Sequence, residues 1–296
     1  MGQINHFTYG WITPTLSYAL SVLGSLLGLV CATRVRDART AGRRAWWLIM
    51  AAWAIGGCGI WAMHFMAMLG FSVTGTAIRY DTSITAASAL IAIVVVGIAL
   101  LLVGLGRPSP VKVLVGGLFA GLGVAAMHYT GMAAMRMDAH VSYDRRLVAL
   151  SIVIAVVAAT VALWLCITVR RTIAIVGSAL VMGVAVNGMH FTGMFAMSVH
   201  MHEPTAELSG ASAANLLIPI VLAVLLVVIG LIYAVLAAPT DEDRAGAAYL
   251  DARMSGRRGG DVPGPVNGQP TAGRVNGRPV PGSRRATSHR WTYTRR

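Results

Sequence analysis

Residues 84–105 read ITAASALIAIVVVGIALLLVGL, a run of 22 residues without a single charge. As an α-helix rising 1.5 Å per residue it reaches about 33 Å, enough to cross a hydrocarbon layer roughly 30 Å thick. Working outward from it, six more runs of about 20 residues or longer carry almost no charge: 12–31, 46–70, 112–136, 147–169, 173–198 and 213–238. Glycine recurs inside them, as is usual for membrane helices and unusual for soluble ones. The 296-residue chain is 56% hydrophobic and only 12% charged, where soluble domains have roughly 45–50% and about 25%. One buried core cannot account for that. Seven spans joined by short loops leave no space for a soluble domain before residue 239. The expected fold is therefore an all-α integral membrane protein of seven transmembrane helices.

The net charge of +13 would suggest a nucleic-acid binder if it were spread over a soluble surface. It is sorted instead. Loops after spans 1, 3 and 5 carry nine cations: Arg34, Arg36, Arg39, Arg43, Arg44, Arg107, Lys112, Arg170 and Arg171. Loops after spans 2, 4 and 6 carry four: Arg79, Arg136, Arg145 and Arg146. Positive charge marks the cytoplasmic side, so the N-terminus is expected outside and the C-terminus inside. The first ten residues contain no Lys or Arg, so span 1 reads as a retained helix rather than a cleaved signal.

The remaining 11 of the 24 Lys and Arg lie beyond residue 239, in a segment rich in Arg, Gly and Pro with few aliphatic side chains. Such a polymer buries too little to fold alone. The expected organisation is a membrane domain over 1–238 and a disordered cytoplasmic tail over 239–296. Arginine beside anionic headgroups is worth about 1 kcal/mol each, so the tail's expected partner is the lipid bilayer, with no specific nucleic acid. Cys31, Cys58 and Cys166 all fall in or at the ends of spans and read as packing residues.

A repeat runs through the even spans. They contain Ala62-Met63-His64-Phe65, Ala126-Met127-His128-Tyr129 and Gly188-Met189-His190-Phe191, with the histidines 64 and then 62 residues apart. Seven residues before each His stands Gly57, Gly121 or Gly183, and four after it Met68, Met132 or Met194. Seven after it stand Phe71, Met135 and Met197. The odd spans repeat as well: Tyr80-Asp81 and Tyr143-Asp144 are each followed by Ser88 or Ser151, and Tyr9 with Ser17 has the same spacing. The chain therefore reads as three helix pairs plus one helix. Each pair crosses the membrane twice, so the copies are expected to be parallel repeats about an axis near the membrane normal.

At 100° per residue, positions −7, +4 and +7 lie within about 40° of the histidine on one helix face. The glycines at −7 are expected to let neighbouring backbones approach. Three imidazoles and several thioethers should then converge in a dry pocket just below the outer surface. The windows 61–70, 127–137 and 189–201 hold 11 of the 15 Met. A single Met or His in a membrane helix is usually a packing residue. Three at one depth with the same offsets point to a site, because polar groups inside a membrane are costly. Thioether favours Cu(I) and imidazole suits Cu, Fe and Zn, while the absence of carboxylates argues against Mg, Ca or Mn. Copper is the first expectation. Haem is the alternative, held between two histidines on facing helices.

The string Met127-His128-Tyr129-Thr130, flanked by its two relatives, resembles the MHYT domain family of bacterial integral-membrane sensor domains, over roughly residues 9–238. The resemblance implies a multi-pass protein of the bacterial inner membrane. It implies copper held by Met63 with His64, Met127 with His128 and Met189 with His190, with Tyr129 as an accessory, and sensing of oxygen, carbon monoxide or nitric oxide. Only the middle copy has all four letters, so any phenol role rests on Tyr129. Family members often carry a cytoplasmic cyclase, phosphodiesterase or kinase, whereas this sequence ends in the Arg-rich tail. The resulting expectation is a non-enzymatic membrane sensor reporting to an unidentified cytoplasmic signalling partner. The metal set is His64, His128, His190, Met63, Met127, Met189, Met68, Met132 and Met194, with Tyr129, Met135 and Met197 as accessories. Alternatives are a haem-bearing electron carrier and a copper or small-solute transporter; for the latter the inner halves offer little beyond Asn187.

Overall fold

The computed structural model describes residues 3–107, 109–201 and 209–237, together with 246, 249–250 and 253–254. The tail expected over 239–296 therefore lies almost wholly outside the described residues. The chain divides into two units, Met1–Ala238 and Pro239–Arg296, and the candidate membrane spans all belong to the first.

Among the described residues, seven helices are long and apolar enough to cross a membrane: α1 (Ile12–Asp37), α2 (Ala41–Met68), α3 (Thr82–Gly104), α4 (Pro110–Ala133), α5 (Arg145–Thr168), α6 (Thr172–Phe195) and α7 (Ala213–Leu236). Four of them, α2, α3, α5 and α7, start at a side-chain cap. The Asp81 carboxylate accepts from the backbone N–H of Ser83 and Ile84, and the Asp144 carboxylate from Arg146 and Leu147. Each thereby satisfies donors that a first helical turn leaves unpaired. Thr40 and Ser212 do the same for α2 and α7. At the opposite end Arg36 donates to the carbonyls of Cys166, at 2.9 Å, and Val169. The guanidinium places positive charge on the C-terminal dipole of α5 and ties α1 to it.

At the end of the bundle where α3, α5 and α7 begin, the segments outside the helices pair as short antiparallel strands. β1 (Ile4–Asn5) pairs with β2 (Ser72–Val73), and β3 (Arg79–Tyr80) with both β4 (Met135–Arg136) and β7 (Ala211–Ser212). β5 (Ala139–Tyr143) pairs with β6 (Met197–Met201). Three backbone bonds recur here: Thr8 N–H to Gly70 O, Asp81 N–H to Ala134 O and Asp144 N–H to Ala196 O, at 2.9, 2.9 and 2.8 Å. The acceptor is six residues after the histidine each time, so each helix pair is closed on itself in the same way.

Two differences from the sequence-based expectation have local causes. Helices α4 and α6 end at Ala133 and Phe195, so Met135 and Met197 lie in β4 and β6 and not on the helical face assumed for position +7. Strand pairing has captured them: Met135 is opposite Tyr80, and Met197 is opposite Tyr143. Second, Trp53–Ala62 within α2 is π-helical. A π stretch takes up an extra residue per turn, and the register of the first copy shifts with it.

A large apolar cluster fills the middle and the far end of the bundle. A smaller one of Phe65, Met68, Phe71, Tyr80, Met132, Met194 and Met197 lies under the strands. The histidines sit between them.

Candidate metal centre

His64 on α2, His128 on α4 and His190 on α6 are at most 2% exposed. One ligand-capable nitrogen from each lies within 4.8 Å of those of the other two. His64 Nδ1 is 2.9 Å from His190 Nδ1 and 3.2 Å from His128 Nδ1. The ring centroids are 4.9, 4.9 and 5.2 Å apart, and every pair meets edge to face at 76–88°. Three rings set nearly perpendicular to one another thus aim one nitrogen each at a shared point.

Three neutral imidazoles cannot satisfy themselves in this arrangement. Each carries one N–H and one lone pair, so at most two of the Nδ1 atoms can donate toward the third. The Nε2 atoms of all three are buried without a hydrogen-bond partner. A buried polar group left unpaired costs about 1–3 kcal/mol. A cation at the shared point removes the conflict at Nδ1: all three rings become Nε2–H tautomers and turn three lone pairs inward. The trio therefore fits a metal ion bound by three imidazole nitrogens, a donor set open to copper, zinc and iron.

Two glycines shape the pocket. A methyl group on Gly131 would lie 2.3 Å from His64 Nε2, and one on Gly193 would lie 2.2 Å from His128 Nε2. Each histidine edge therefore rests where the next even helix lacks a side chain, three residues after that helix's own histidine. Helix α2 has buried Ala67 at this step. Neither glycine stood out in the sequence, although His-Tyr-Thr-Gly and His-Phe-Thr-Gly display them in register.

The methionines form layers on either side of the trio. Met68, Met132 and Met194 belong to the cluster under the strands, with Met197 in it and Met135 packed against it. Met127 and Met189 belong to the deeper cluster, and Met63 is fully buried. Among the described residues, the hydrogen-bond partners of the three imidazoles are each other. Tyr129 stacks edge-on against His128 at 4.9 Å, but its hydroxyl is 2.7 Å from Ser151 Oγ on α5. Ser151 donates to Val148 O, so it accepts from the phenol, which is thereby directed away from the trio.

That bond has counterparts. Trp61 Nε1 donates to Ser88 on α3 at 3.0 Å, and Ser17 on α1 donates to Asn187 Oδ1 at 2.9 Å. Trp61 and Asn187 each stand three residues before a histidine; the middle copy has Ala125 there, and Tyr129, one turn further on, supplies the bond. The repeated serines of the odd helices thus each tie to an even helix. Asn187 also donates to Ser21 and Gly183 O, so its amide is consumed in holding α6 to α1.

The three glycines expected at helix contacts differ. A Cβ on Gly121 would be 2.4 Å from Val156 Cα, and one on Gly183 would be 2.6 Å from Val22 Cγ2. Gly57 needs correction: its nearest neighbour would be the Ile93 side chain at 3.6 Å, an ordinary contact. Gly56 is the residue against α3, where a Cβ would lie 2.8 Å from Ala92 O, because the π stretch has moved the register by one.

Haem does not fit this site. A porphyrin disc cannot pass between imidazoles whose Nδ1 atoms are 2.9 and 3.2 Å apart. Of the other histidines at the strand-bearing end, His6 packs edge-on against Phe195 at 4.7 Å, and burial pulls its pKa below the ordinary 6.5. His140 and His200 are exposed and directly opposite on β5 and β6. His202 and His289 lie outside the described residues. Cys31, Cys58 and Cys166 are buried free thiols.

The family described as a bacterial signalling protein N-terminal repeat, MHYT, matches residues 57–117 and 121–179. The chain is 39% identical over 241 residues to the bifunctional diguanylate cyclase/cyclic di-GMP phosphodiesterase MucR of Pseudomonas aeruginosa, covering 77% of this chain and 34% of that protein. It is 36% identical over 220 residues to the cyclic di-GMP phosphodiesterase NbdA of the same organism, covering 72% and 28%. With the signalling protein YkoW of Bacillus subtilis the identity is 29% over 202 residues, covering 66% and 25%. The chain thus spans a quarter to a third of the length of these relatives. No solved structure matches it.

Proposed function

Residues 57–179 carry two repeats of the MHYT signalling family, to which the chain belongs, and on that premise we propose that it is a sensor of the bacterial inner membrane whose histidine trio holds copper. The coarse part of this reading is a multi-pass membrane protein with a sensory signalling role. The single observation carrying the rest is the set of three Nδ1 atoms at 2.9 and 3.2 Å with no other partner among the described residues. His64, His128 and His190 would be the ligands. The methionine layers above and below, with Met63, Met127 and Met189 nearest in sequence, would keep the surroundings soft and dry, which favours copper among the ions that imidazole accepts. Copper, when bound, supplies a coordination position for oxygen, carbon monoxide or nitric oxide.

The protein's own groups would do the remainder. Gly131 and Gly193 hold two of the rings in place, and the serine ties to Trp61, Tyr129 and Asn187 link each even helix to an odd one. Those ties join the first pair to the second, the second to the third and the third back to the first, which supports three parallel repeats around one axis. A change in imidazole position would pass through them to the loops at the far end. There a cytoplasmic partner would read it, with the Arg-rich tail over 239–296 lying against anionic lipid. The cation count of nine against four supports an outside N-terminus. The cyclase and phosphodiesterase activities in the relatives' names would belong to the lengths of those proteins beyond the aligned region, making this region non-catalytic.

Metal analysis and an electronic spectrum of the full chain purified in detergent test the reading. Copper should be bound stoichiometrically and be lost in each of His64→Ala, His128→Ala and His190→Ala. Copper retained in all three variants, or metal-replete wild-type protein without it, would overturn the site.

A further inference from the structure

A cavity of about 390 Å³ opens on the side of the bundle, walled by apolar side chains apart from Ser25. Helix periodicity fixes where it is. Ile60, Val124 and Val186 line it, and each stands four residues before one of the three histidines. One turn of helix is about 6 Å over four residues and returns to nearly the same face, so this part of the cavity wall lies about one turn below the trio. Met189, the neighbour of His190, also lines it.

Its other side faces the bilayer. Val153 and Val157 of α5 and Val181 of α6 line the cavity and are 57, 58 and 60% exposed, on faces that hydrocarbon covers in a spanning helix. Toward the strands the trio is closed by Met68, Phe71, Met132 and Met194, none more than 5% exposed; toward the cavity Met63, Met127 and Met189 are as deeply buried, and of these Met189 lines the cavity, so a ligand would pass its flexible thioether chain. Water has no reason to fill the cavity, since a buried water needs two to four polar partners and apolar cavities of this kind stay dry. A charged or strongly hydrogen-bonding ligand would lose its hydration without compensation on entering.

We propose that this cavity is the admission path by which an uncharged, apolar diatomic ligand reaches the trio from the bilayer interior and not from the aqueous face. The proposal rests on the trio being a ligand-binding metal centre. It deepens that reading by naming the ligand's route: only molecules that partition into hydrocarbon arrive.

Xenon is a suitable probe, because it enters dry apolar cavities without needing any metal. The full chain, crystallised from lipid and pressurised with xenon, should show the gas in contact with Ile60, Val124 and Val186. Ala158→Phe and Ala185→Phe, both on the cavity wall, should each displace it. In copper-loaded protein the same variants should keep their metal content while the rate of carbon monoxide combination falls about tenfold or more. No xenon in the wild-type cavity, or an acyl chain there that xenon does not displace, overturns the proposal. So does an unchanged combination rate in variants that have lost the xenon. Xenon uptake in a chain that binds no metal supports the path and overturns the metal centre instead, so the two failures are told apart.

Discussion

Gly131 and Gly193 are where a single atom decides whether the trio can assemble. A Cβ at 2.3 or 2.2 Å from an imidazole Nε2 cannot be accommodated, because the rings are locked edge to face against each other. Gly131→Ala and Gly193→Ala should therefore push His64 or His128 out of line and weaken metal binding by about 10–100-fold, the usual cost of disturbing a ligand's support. Ala67→Gly should leave it within a few-fold. Titration of purified protein with a competing chelator reads both. Tyr129→Phe makes the opposite test of the phenol. Its hydroxyl is spent on Ser151, so metal affinity should stay unchanged while the melting temperature falls by the equivalent of about 1 kcal/mol. The histidines were legible because three polar residues at one offset stand out in apolar spans. The supporting glycines were hidden by abundance: with 33 in the chain, a glycine three residues after a histidine carries no signal until the neighbouring helix is in place. The phenol's direction was hidden for a related reason, since only the alanine at 125 reveals why Tyr129 must serve α5.

Single helices and strands carry the next level. Seven apolar runs mark the seven helices to within a few residues, because the thickness of the hydrocarbon imposes their length. Where local geometry departs from the ideal α-helix, counting fails, and α2 shows it. The π stretch Trp53–Ala62 puts Gly56 against the backbone of Ala92 and leaves Gly57 in open contact. Gly57→Val should be nearly neutral, whereas Gly56→Val and Gly121→Val, which would drive a side chain into backbone 2.8 and 2.4 Å away, should destabilise by about 1–3 kcal/mol or more. Thermal melts in one detergent would rank the three. Strand β1 yields a pH prediction. His6 follows it, half-buried with an unpartnered Nδ1, and burial lowers its pKa from 6.5. The undocked segment therefore binds a proton more readily than the docked one. Docking carries no penalty above pH 6.5 and weakens progressively as pH falls below it toward the lowered value. The hydrogen-exchange protection factors of residues 3–10, taken relative to the intrinsic rate at each pH, should fall on acidification, and His6→Phe should abolish that dependence.

For the whole membrane domain, the trio is the one place among the described residues where an even helix of every pair contributes to a single polar contact, between two apolar clusters that need no help to stay packed. Its energetic sign should therefore reverse with metal. Without an ion, the three Nδ1 atoms meet at 2.9 and 3.2 Å and cannot all be satisfied by one another, so the site opposes folding. With an ion, binding to the folded state alone stabilises by about 2.7 kcal/mol at a hundredfold excess over the dissociation constant. Replacing a whole buried polar set by apolar side chains of similar size is often neutral or stabilising, whereas removing one member leaves the others stranded. The triple variant His64→Leu, His128→Leu, His190→Leu should accordingly melt at or above the temperature of the metal-free wild type and show no response to copper. The wild type should gain stability on loading and each single His→Ala should gain none. A triple variant that unfolds well below metal-free wild type would mean that the histidines hold the three pairs together by themselves. In that case the trio would be a structural clasp, and the serine ties between Ser88 and Trp61, Ser151 and Tyr129, and Ser17 and Asn187 would be its reinforcement instead of the route by which a bound ligand is felt at the far end of the bundle.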